Sequence, residues 1–362
     1  MNDTEGRPAG IDPQARFLLV RPQGGLNDTL VQVEKCRRHA ARFGRVLVVD
    51  LSRSGLRLPF GELFVAGDDF GCAVIAWDDA VARRLDAVAT VLPAPLAGRV
   101  SSYGPYRGSP DQLVVDEQSG CVISFDFARD HAERLLVHEQ SGGGTKGFFA
   151  LRRLALAPAV ADEVARRLLP LGGDYDAIHV RHSDLATDYA RLFARCRTLF
   201  AGRRLLVCSD SAEVKARARA AFGPDTELLG VADIPDTGGL PLHFSERIDP
   251  RDAAIDLFSD LIAMARSRTF VFTGVASRNG IRTHFSGLSV LADLLRQDPA
   301  AIRRLLGRAS PDLYRVLFEA PAVTPAPSPL RFLARLDQWR WNFPARWLSF
   351  RSGVKLRLPL RR

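Results

Sequence analysis

The feature that most constrains the fold is a strand, a tight turn, a helix and a second strand that follow one another within residues 17–50. Apolar runs at 17–20 and 46–49 predict the two strands. Between them, apolar residues at helical spacing from Leu30 to Phe43 predict a helix that ends at Gly44. This is a βαβ unit, which requires both strands to lie parallel in one sheet.

The same alternation returns in the second half of the chain. It predicts strands at residues 177–180, 205–208, 227–231 and 269–272. Each strand is followed by a predicted helix, at residues 188–200, 212–222, 253–265 and 285–295. Strands that alternate with helices predict a second parallel sheet covered on both faces. Shorter β-like runs lie at 72–77, 113–115 and 121–125, and Pro158 is expected to divide a helical stretch at 148–169. The pattern therefore predicts an α/β protein with domains at 1–155 and 156–320, followed by a Pro-rich linker and tail at 321–362.

Composition fits a globular chain with free thiols. Of the 362 residues 46% are hydrophobic, and no run approaches the roughly 18 apolar residues of a membrane span. The first sixteen residues lack the pattern of a signal peptide. Five cysteines are scattered without a CxxC pair, which is typical of a reducing compartment. We expect a cytoplasmic, bacterial-type protein.

The positive charge is concentrated in the tail. Residues 331–362 hold nine Arg or Lys and one acid, so they supply +8 of the net +9. Tryptophans alternate with arginines here, and this pattern leaves two interpretations open. In the first, the tail lies against an anionic membrane surface, on the inner face of the membrane. In the second, it packs back onto the N-terminal domain. Nucleic-acid binding is not expected, because the body has almost no basic excess.

The turn of the βαβ unit reads Gly24-Gly25-Leu26-Asn27-Asp28, which is not the dinucleotide fingerprint G-x-G-x-x-G. Two glycines permit close approach of a ligand or positive φ. Asn27 is expected to cap the helix, so that free backbone amides face an anion. The alternative is an ordinary βα turn. The glycine-rich segment 141–147 is interpreted as a plain loop or as a loop that contacts substrate.

Ligands of such sheets bind beyond the carboxyl ends of the strands, so the residues there are the candidate site. Arg181 ends one strand, and its guanidinium suits a phosphate. Taken one at a time, each candidate residue could be a helix cap or part of a simple turn. Taken together, the candidates occupy equivalent positions after the strands. The other candidates of the second half are His179, His182, Asp184, Asp210, Thr273, Phe285, Ser286 and Gly287.

Four segments, in order, resemble one family. They are GGLND, IHVRHSD, LLVCSDSAEVKARARAAFG, and DLFSDLIAMARSRTFVFTG with THFSGLSVLADLL. They are similar to the fucosyltransferases that share an H-x-R-x-x-D peptide, notably the α1,6-, nodulation-type and α1,2-fucosyltransferase-like members. The resemblance covers about residues 16–300.

The resemblance implies a GT-B fold, in which two Rossmann-like domains face a cleft, with GDP-fucose as donor, a glycan as acceptor, inversion and no metal or other cofactor. It implies that Arg181 grips the β-phosphate and that His179 and Asp210 lie by the guanine and ribose. Ser286 and its neighbours would bind diphosphate oxygens, and the Gly24-Gly25-Asn27 turn would face them from the other domain.

The sequence leaves the catalytic base and the donor open. Asp28, Asp184, His182 and His179 are candidates for a base that activates the acceptor hydroxyl. Two alternatives to a fucosyltransferase remain: a transferase that uses another GDP- or UDP-sugar, and a non-catalytic protein that binds nucleotides or glycans.

Overall fold

The computed structural model describes residues 14–107, 113–183, 187–232, 248–272, 274–276 and 283–319. The strands are β1 Phe17–Pro22, β2 Val46–Val49, β3 Phe64–Ala66, β4 Val74–Ala76, β5 Val91–Leu92, β6 Pro105–Arg107, β7 Val114–Asp116, β8 Leu135–Gln140, β9 Leu154–Leu156, β10 Asp176–Val180, β11 Arg204–Ser209, β12 Glu227–Leu229, β13 Phe270–Phe272, β14 Val275–Ala276 and β15 Thr283–His284. The helices are α1 Leu26–Phe43, α2 Phe60–Leu63, α3 Asp79–Asp86, α4 Gly147–Leu151, α5 Pro158–Leu168, α6 Tyr189–Phe200, α7 Ala212–Phe222, α8 Pro250–Arg266, α9 Gly287–Arg296, α10 Pro299–Leu305 and α11 Pro311–Glu319.

The first sheet has five parallel strands in the order β4-β2-β1-β8-β5. Its central strand β1 is buried along its whole length, as expected for a parallel strand covered on both faces. Leu18 and Val20 pack towards α1, while Phe17 and Leu19 pack towards α3. The predicted βαβ unit is therefore confirmed.

β8 has no counterpart among the predicted strands, although it lies beside β1 at the centre of the sheet. Its apolar run is only Leu135–Val137, and His138 and Glu139 follow inside the strand. Both polar side chains are 1% exposed, so the rest of the fold hides them from solvent. A further difference concerns residues 148–169, where β9 separates α4 from α5, and Pro158 begins α5 rather than dividing a helix.

The second sheet has four parallel strands in the order β12-β11-β10-β13, which confirms the second predicted α/β unit. Ile178 and Val180 of β10 pack with apolar residues of α6 and α7. Ala177 lies on the opposite face, in the core that includes α8 and α9. The side chains of β10 that are directed towards α9 therefore alternate with those that hold the outer helices.

Helix ends are set by local chemistry. Ser211 caps α7 by accepting a hydrogen bond from the Val214 amide, and Gly223 follows the last residue. Gly44 ends α1 with φ of 64°, a left-handed conformation that favours glycine. These signals explain why the predicted bounds of α7 and the predicted C-terminal end of α1 agree with the structure.

One apolar core continues from the first sheet into the second. It contains Leu18 of β1 together with Ala177 of β10, Phe258 of α8 and Leu291 of α9. Because Leu18, Phe258 and Leu291 are fully buried, truncation of one of them to alanine is expected to cost about 2–5 kcal/mol. Among the described helices, none combines the length and hydrophobicity needed to cross a membrane.

Candidate functional site

An ion pair joins the ends of the two central strands of the second sheet. β10 and β11 are parallel with Val180 opposite Ser209, so the next residues, Arg181 and Asp210, emerge side by side. The Nε atom of Arg181 lies 3.0 Å from Oδ2 of Asp210. The Arg181 side chain is 22% exposed and that of Asp210 only 7%, so the cation reaches solvent while its partner anchors it. A fixed guanidinium at this edge suits an anionic ligand.

Asp210 also organises the chain that follows β10. Its Oδ1 accepts hydrogen bonds from the backbone amides of His182 at 2.8 Å and Ser183 at 3.3 Å. Its Oδ2 accepts from the Ser183 hydroxyl at 2.5 Å. The Thr187 hydroxyl donates to the carbonyl of Arg181. These contacts hold Arg181 from both sides, which reduces the reorganisation needed on ligand binding.

The two histidines beside Arg181 differ in their surroundings. His179 is buried, and its Nδ1 lies 2.6 Å from the hydroxyl of Ser289 in α9. Burial lowers the pKa of His179 to about 4, and Arg181 adds to this effect while Asp210 opposes it. The His182 ring packs edge-on against Tyr189, and its buried Nδ1 has no hydrogen-bond partner among the described residues.

The N-terminus of α9 lies on the same side of the sheet. Ser286 is the N-cap residue and is buried, but its side chain makes no capping bond within the described residues. Gly287 begins the helix, so backbone amides are available there for an anion. Phe285 precedes these amides and is 49% exposed. Its ring is edge-on to that of Phe272, with 5.5 Å between the ring centroids.

The turn after β1 approaches this helix from the first domain. Gly24 has φ of 91°, a left-handed conformation that favours glycine, and a Cβ there would lie 2.9 Å from Oδ2 of Asp28. The expectation that Asn27 caps α1 is wrong. Gly25 is the N-cap residue in an extended conformation, and Asn27 lies within the first turn.

Asn27 instead connects three parts of the molecule. Its Nδ2 donates to the carbonyl of Gly144 at 3.0 Å, while its Oδ1 is buried without a hydrogen-bond partner among the described residues. A Cβ built on Gly287 would lie 2.8 Å from the Asn27 Cβ, and one on Gly147 would lie 2.8 Å from its Oδ1. The βα turn, the glycine-rich loop 141–147 and the start of α9 therefore meet at one residue.

A further candidate, Asp260 of α8, could not be named from the sequence, because it lies inside a helix rather than directly after a strand. Burial raises the pKa of Asp260 to about 6, and Lys215 opposes this effect. The thiol of Cys208, near the end of β11, donates a hydrogen bond to it. Carboxyl groups with a perturbed pKa at a ligand-binding edge are functional candidates.

The structure thus brings together four predicted residues at the end of the second sheet, Arg181, Asp210, His179 and His182. It also places Asn27 of the first domain against Gly287 of the second domain. Two predicted site residues, Asp184 and Thr273, lie outside the described residues. The described parts of the chain contain no group of three or more His, Cys, Asp or Glu side chains placed to hold a metal.

The sequence matches no protein-family model and no curated protein. Solved structures do match. NodZ α-1,6-fucosyltransferase co-crystallised with GDP shares 18% identity over 78% of this chain and 92% of that chain, with a TM-score of 0.50. The fucosyltransferase NodZ from Bradyrhizobium shares 17% identity over 78% and 93% of the two chains, with a TM-score of 0.51. NodZ soaked with GDP-fucose shares 17% identity over 78% and 92%, with a TM-score of 0.50.

At this level of identity the likeness concerns the fold, which agrees with the two parallel sheets described above. The first is built from β4, β2, β1, β8 and β5, and the second from β12, β11, β10 and β13. The predicted fold class is confirmed: this is an α/β protein of GT-B fold, with two Rossmann-like domains that face a cleft.

Proposed function

We propose that the protein is a glycosyltransferase that transfers fucose from GDP-fucose to a glycan acceptor. The observation that carries the proposal is the Arg181–Asp210 ion pair at the carboxyl end of the second sheet, on the side where α9 begins. The structural neighbours support this choice of donor, because NodZ was crystallised with GDP and soaked with GDP-fucose. The domain limits 1–155 and 156–320 and the site residues named from the sequence remain predictions.

The leaving diphosphate is the group that needs stabilisation. When the bond to the sugar breaks, negative charge develops on the diphosphate, and fixed donors aimed at it lower the barrier. We assign this role to Arg181 and to the amides at Ser286 and Gly287. In this proposal no metal is required, since a permanent cation and a helix N-terminus face the same charge.

We assign the guanosine to the region beyond the carboxyl ends of β10 and β11. His179 and Asp210 border it, and Asp260 adds a carboxyl group that could accept hydrogen bonds from the guanine edge. Phe285 offers an exposed ring near the same edge. These roles are proposals that follow from position and chemistry.

For the base we favour Asp28 over the histidine candidates. His179 is buried and its Nδ1 is held by Ser289, so its ring is not placed to reach an acceptor hydroxyl. Asp28 lies in the opposite domain from Arg181, against Gly24 and the Gly143 loop. An acceptor hydroxyl activated from that side would attack opposite the leaving group, which gives inversion at the anomeric carbon.

A nucleotide panel in a thermal-shift assay tests the proposal against its alternatives. Stabilisation by GDP and GDP-fucose but not by UDP is expected. Stabilisation by UDP alone would point to a UDP-sugar transferase. If GDP-fucose stabilises the protein but is never turned over with any glycan, the non-catalytic alternative gains.

The tail supplies a separate proposal about location. We propose that the protein is cytoplasmic and that residues 331–362 contact an anionic membrane surface, because tryptophans alternate there with eight arginines. Co-sedimentation with anionic and neutral liposomes at low salt tests this, with a chain ending at Pro329 as control. The full chain is expected to sediment only with anionic liposomes, and its presence in the supernatant would refute membrane contact.

A further inference from the structure

A buried carboxylate lies at the carboxyl edge of the first sheet, outside the donor site described above. Glu139 of β8 is 1% exposed and accepts three side-chain hydrogen bonds. The donors are the Tyr103 hydroxyl at 2.5 Å, Nη1 of Arg53 at 2.7 Å and Nε2 of Gln23 at 2.8 Å. They come from three separate segments of the chain, so Glu139 fixes the relative positions of these segments.

Beneath this carboxylate a second ion pair supports the cluster. Nε of the fully buried Arg21 lies 2.6 Å from Oδ2 of Asp50, and its guanidinium lies 5.0 Å from the Tyr103 ring centre. The guanidinium of Arg53 lies 4.5 Å from the same ring. Tyr103 thus has one arginine near it from strand β1 and another from the loop after β2, which restricts its movement.

The outer members of the cluster reach the surface. The Arg53 side chain is 25% exposed, and Gln23 is half-buried. Arg53 uses two of its five N–H groups on Glu139 and on the carbonyl of Tyr103 within the described residues. Its remaining donors are available for a ligand.

These outer side chains are next to the interface between the domains. Gln23 immediately precedes Gly24, whose carbonyl accepts a hydrogen bond of 2.7 Å from the Gly55 amide. The loop that carries Arg53 therefore runs beside the turn that meets α9. From the same loop, Arg57 donates to the carbonyl of Ile248, just before α8. The Arg57–Ile248 contact therefore joins this loop of the first domain to the second domain.

We propose that Gln23 and Arg53 bind the hydroxyl groups of one sugar ring of the acceptor, and that Glu139 is the positioning residue that holds both. This inference rests on the proposed function, which it deepens. The charge of Arg53 is already balanced by Glu139, so the pair suits a neutral polyhydroxylated ring rather than an anionic one. An amide and a guanidinium supply directional donors for hydroxyl oxygens.

The experiment compares Gln23→Ala and Arg53→Ala with wild type and with Arg129→Ala. Arg129 is a matched control, since it is an exposed arginine that pairs with Asp126. Its segment contacts the opposite, amino-terminal edge of the same sheet. Transfer from GDP-fucose onto an array of neutral oligosaccharides identifies the best acceptor of the wild-type protein. The acceptor KM and the Kd for GDP are then measured for each protein.

The expected result is an acceptor KM raised about 10- to 100-fold in Arg53→Ala, which loses a charged donor, and about 3- to 10-fold in Gln23→Ala, which loses a neutral one. The Kd for GDP is expected to stay within about twofold, and Arg129→Ala should match wild type. Unchanged acceptor KM in both variants would overturn the subsite. A wild-type protein that fails to bind GDP, or that binds GDP but modifies no glycan on the array, would instead overturn the proposed function, and the subsite with it.

Glu139→Gln separates positioning from simple support of the fold. Glutamine keeps the shape but removes the charge, so Gln23 and Arg53 are expected to lose their fixed orientation. We predict a raised acceptor KM with unchanged kcat at saturating acceptor. A lower Tm with unchanged KM would show that Glu139 only stabilises the domain, and would contradict the proposed role.

Discussion

Asn27 and Gly287 meet across the two domains so closely that no side chain fits at Gly287. A Cβ there would lie 2.8 Å from the Asn27 Cβ and 3.1 Å from its Nδ2. Gly287→Ala should therefore separate the βα turn from the start of α9, with a loss of stability of about 1–3 kcal/mol from overpacking. We expect a lower Tm and weaker binding of GDP, measured by thermal denaturation and calorimetry.

A second change tests whether this contact is the cause. Asn27→Gly removes the clashing Cβ, so the Gly287→Ala/Asn27→Gly double variant should lose less stability than the two single variants together. Gly230→Ala is the control, because a Cβ at Gly230 meets no atom within 4 Å. Strict additivity in the double variant would disprove the contact.

Arg181 is expected to act mainly in the transition state. Arg181→Ala should lower kcat by about 10²–10³, the usual effect of removing one fixed donor to a developing charge. Arg181→Lys should restore little, because lysine lacks the planar fork. The turnover of both variants is measured from the steady-state release of GDP. The control is Arg204→Ala, which breaks a pair with Glu227 at the far end of β11 and is expected to keep near-normal turnover. Normal turnover in Arg181→Ala would exclude Arg181 from the site.

Asp28 should matter for chemistry rather than for donor binding. If it is the base, Asp28→Asn lowers kcat by about 10²–10⁴, while the Kd for GDP changes less than twofold. Single-turnover kinetics with GDP-fucose and an identified acceptor separates the two effects. Equal losses in kcat and GDP affinity would assign Asp28 to the binding turn instead.

Acid should destabilise the protein through His179. Its pKa in the folded state is about 4, below the ordinary value of 6.5, because burial disfavours the charged ring. The unfolded chain therefore binds a proton first as the pH falls. The contribution of His179 to the free energy of unfolding is therefore complete above pH 6.5 and is lost as the pH falls towards 4. The loss is about 3 kcal/mol, at 1.36 kcal/mol per pKa unit.

Chemical denaturation at pH 7, 5.5 and 4 measures this loss in wild type and in His179→Gln. The variant keeps a polar side chain near Ser289 but does not titrate, so its free energy of unfolding should fall less over the same interval. His39, whose pKa is also lowered to about 4, continues to contribute in both proteins. Parallel curves would mean that His179 is not held neutral in the fold.

The fold was largely predictable where the local signals were complete. α7 was predicted at its observed bounds, because Ser211 caps it and Gly223 ends it. β8 was not predicted, because its inner position between β1 and β5 comes from pairing with distant strands and its own sequence contains buried polar residues. Strand propensity cannot indicate such a segment when tertiary packing decides its state.

The site was predictable only in part, for a similar reason. Residues that follow strands, such as Arg181 and Asp210, could be named because parallel strands bring their ends to one edge. The Asn27–Gly287 contact joins residues far apart in the chain, and the Glu139 cluster joins Gln23, Arg53 and Tyr103 across 36 to 116 positions. No local pattern encodes these pairings, so the structure was needed to find them.

The central claim is that Arg181 and the start of α9 hold a nucleoside diphosphate. Calorimetric titration of GDP in the presence of EDTA, into wild type and Arg181→Ala, tests it most directly, with UDP as the comparison. We predict saturable binding of GDP to wild type without metal, binding at least tenfold weaker to the folded Arg181→Ala variant, and weaker binding of UDP. Absence of heat with millimolar GDP, or equal affinity in the two proteins, would contradict the account.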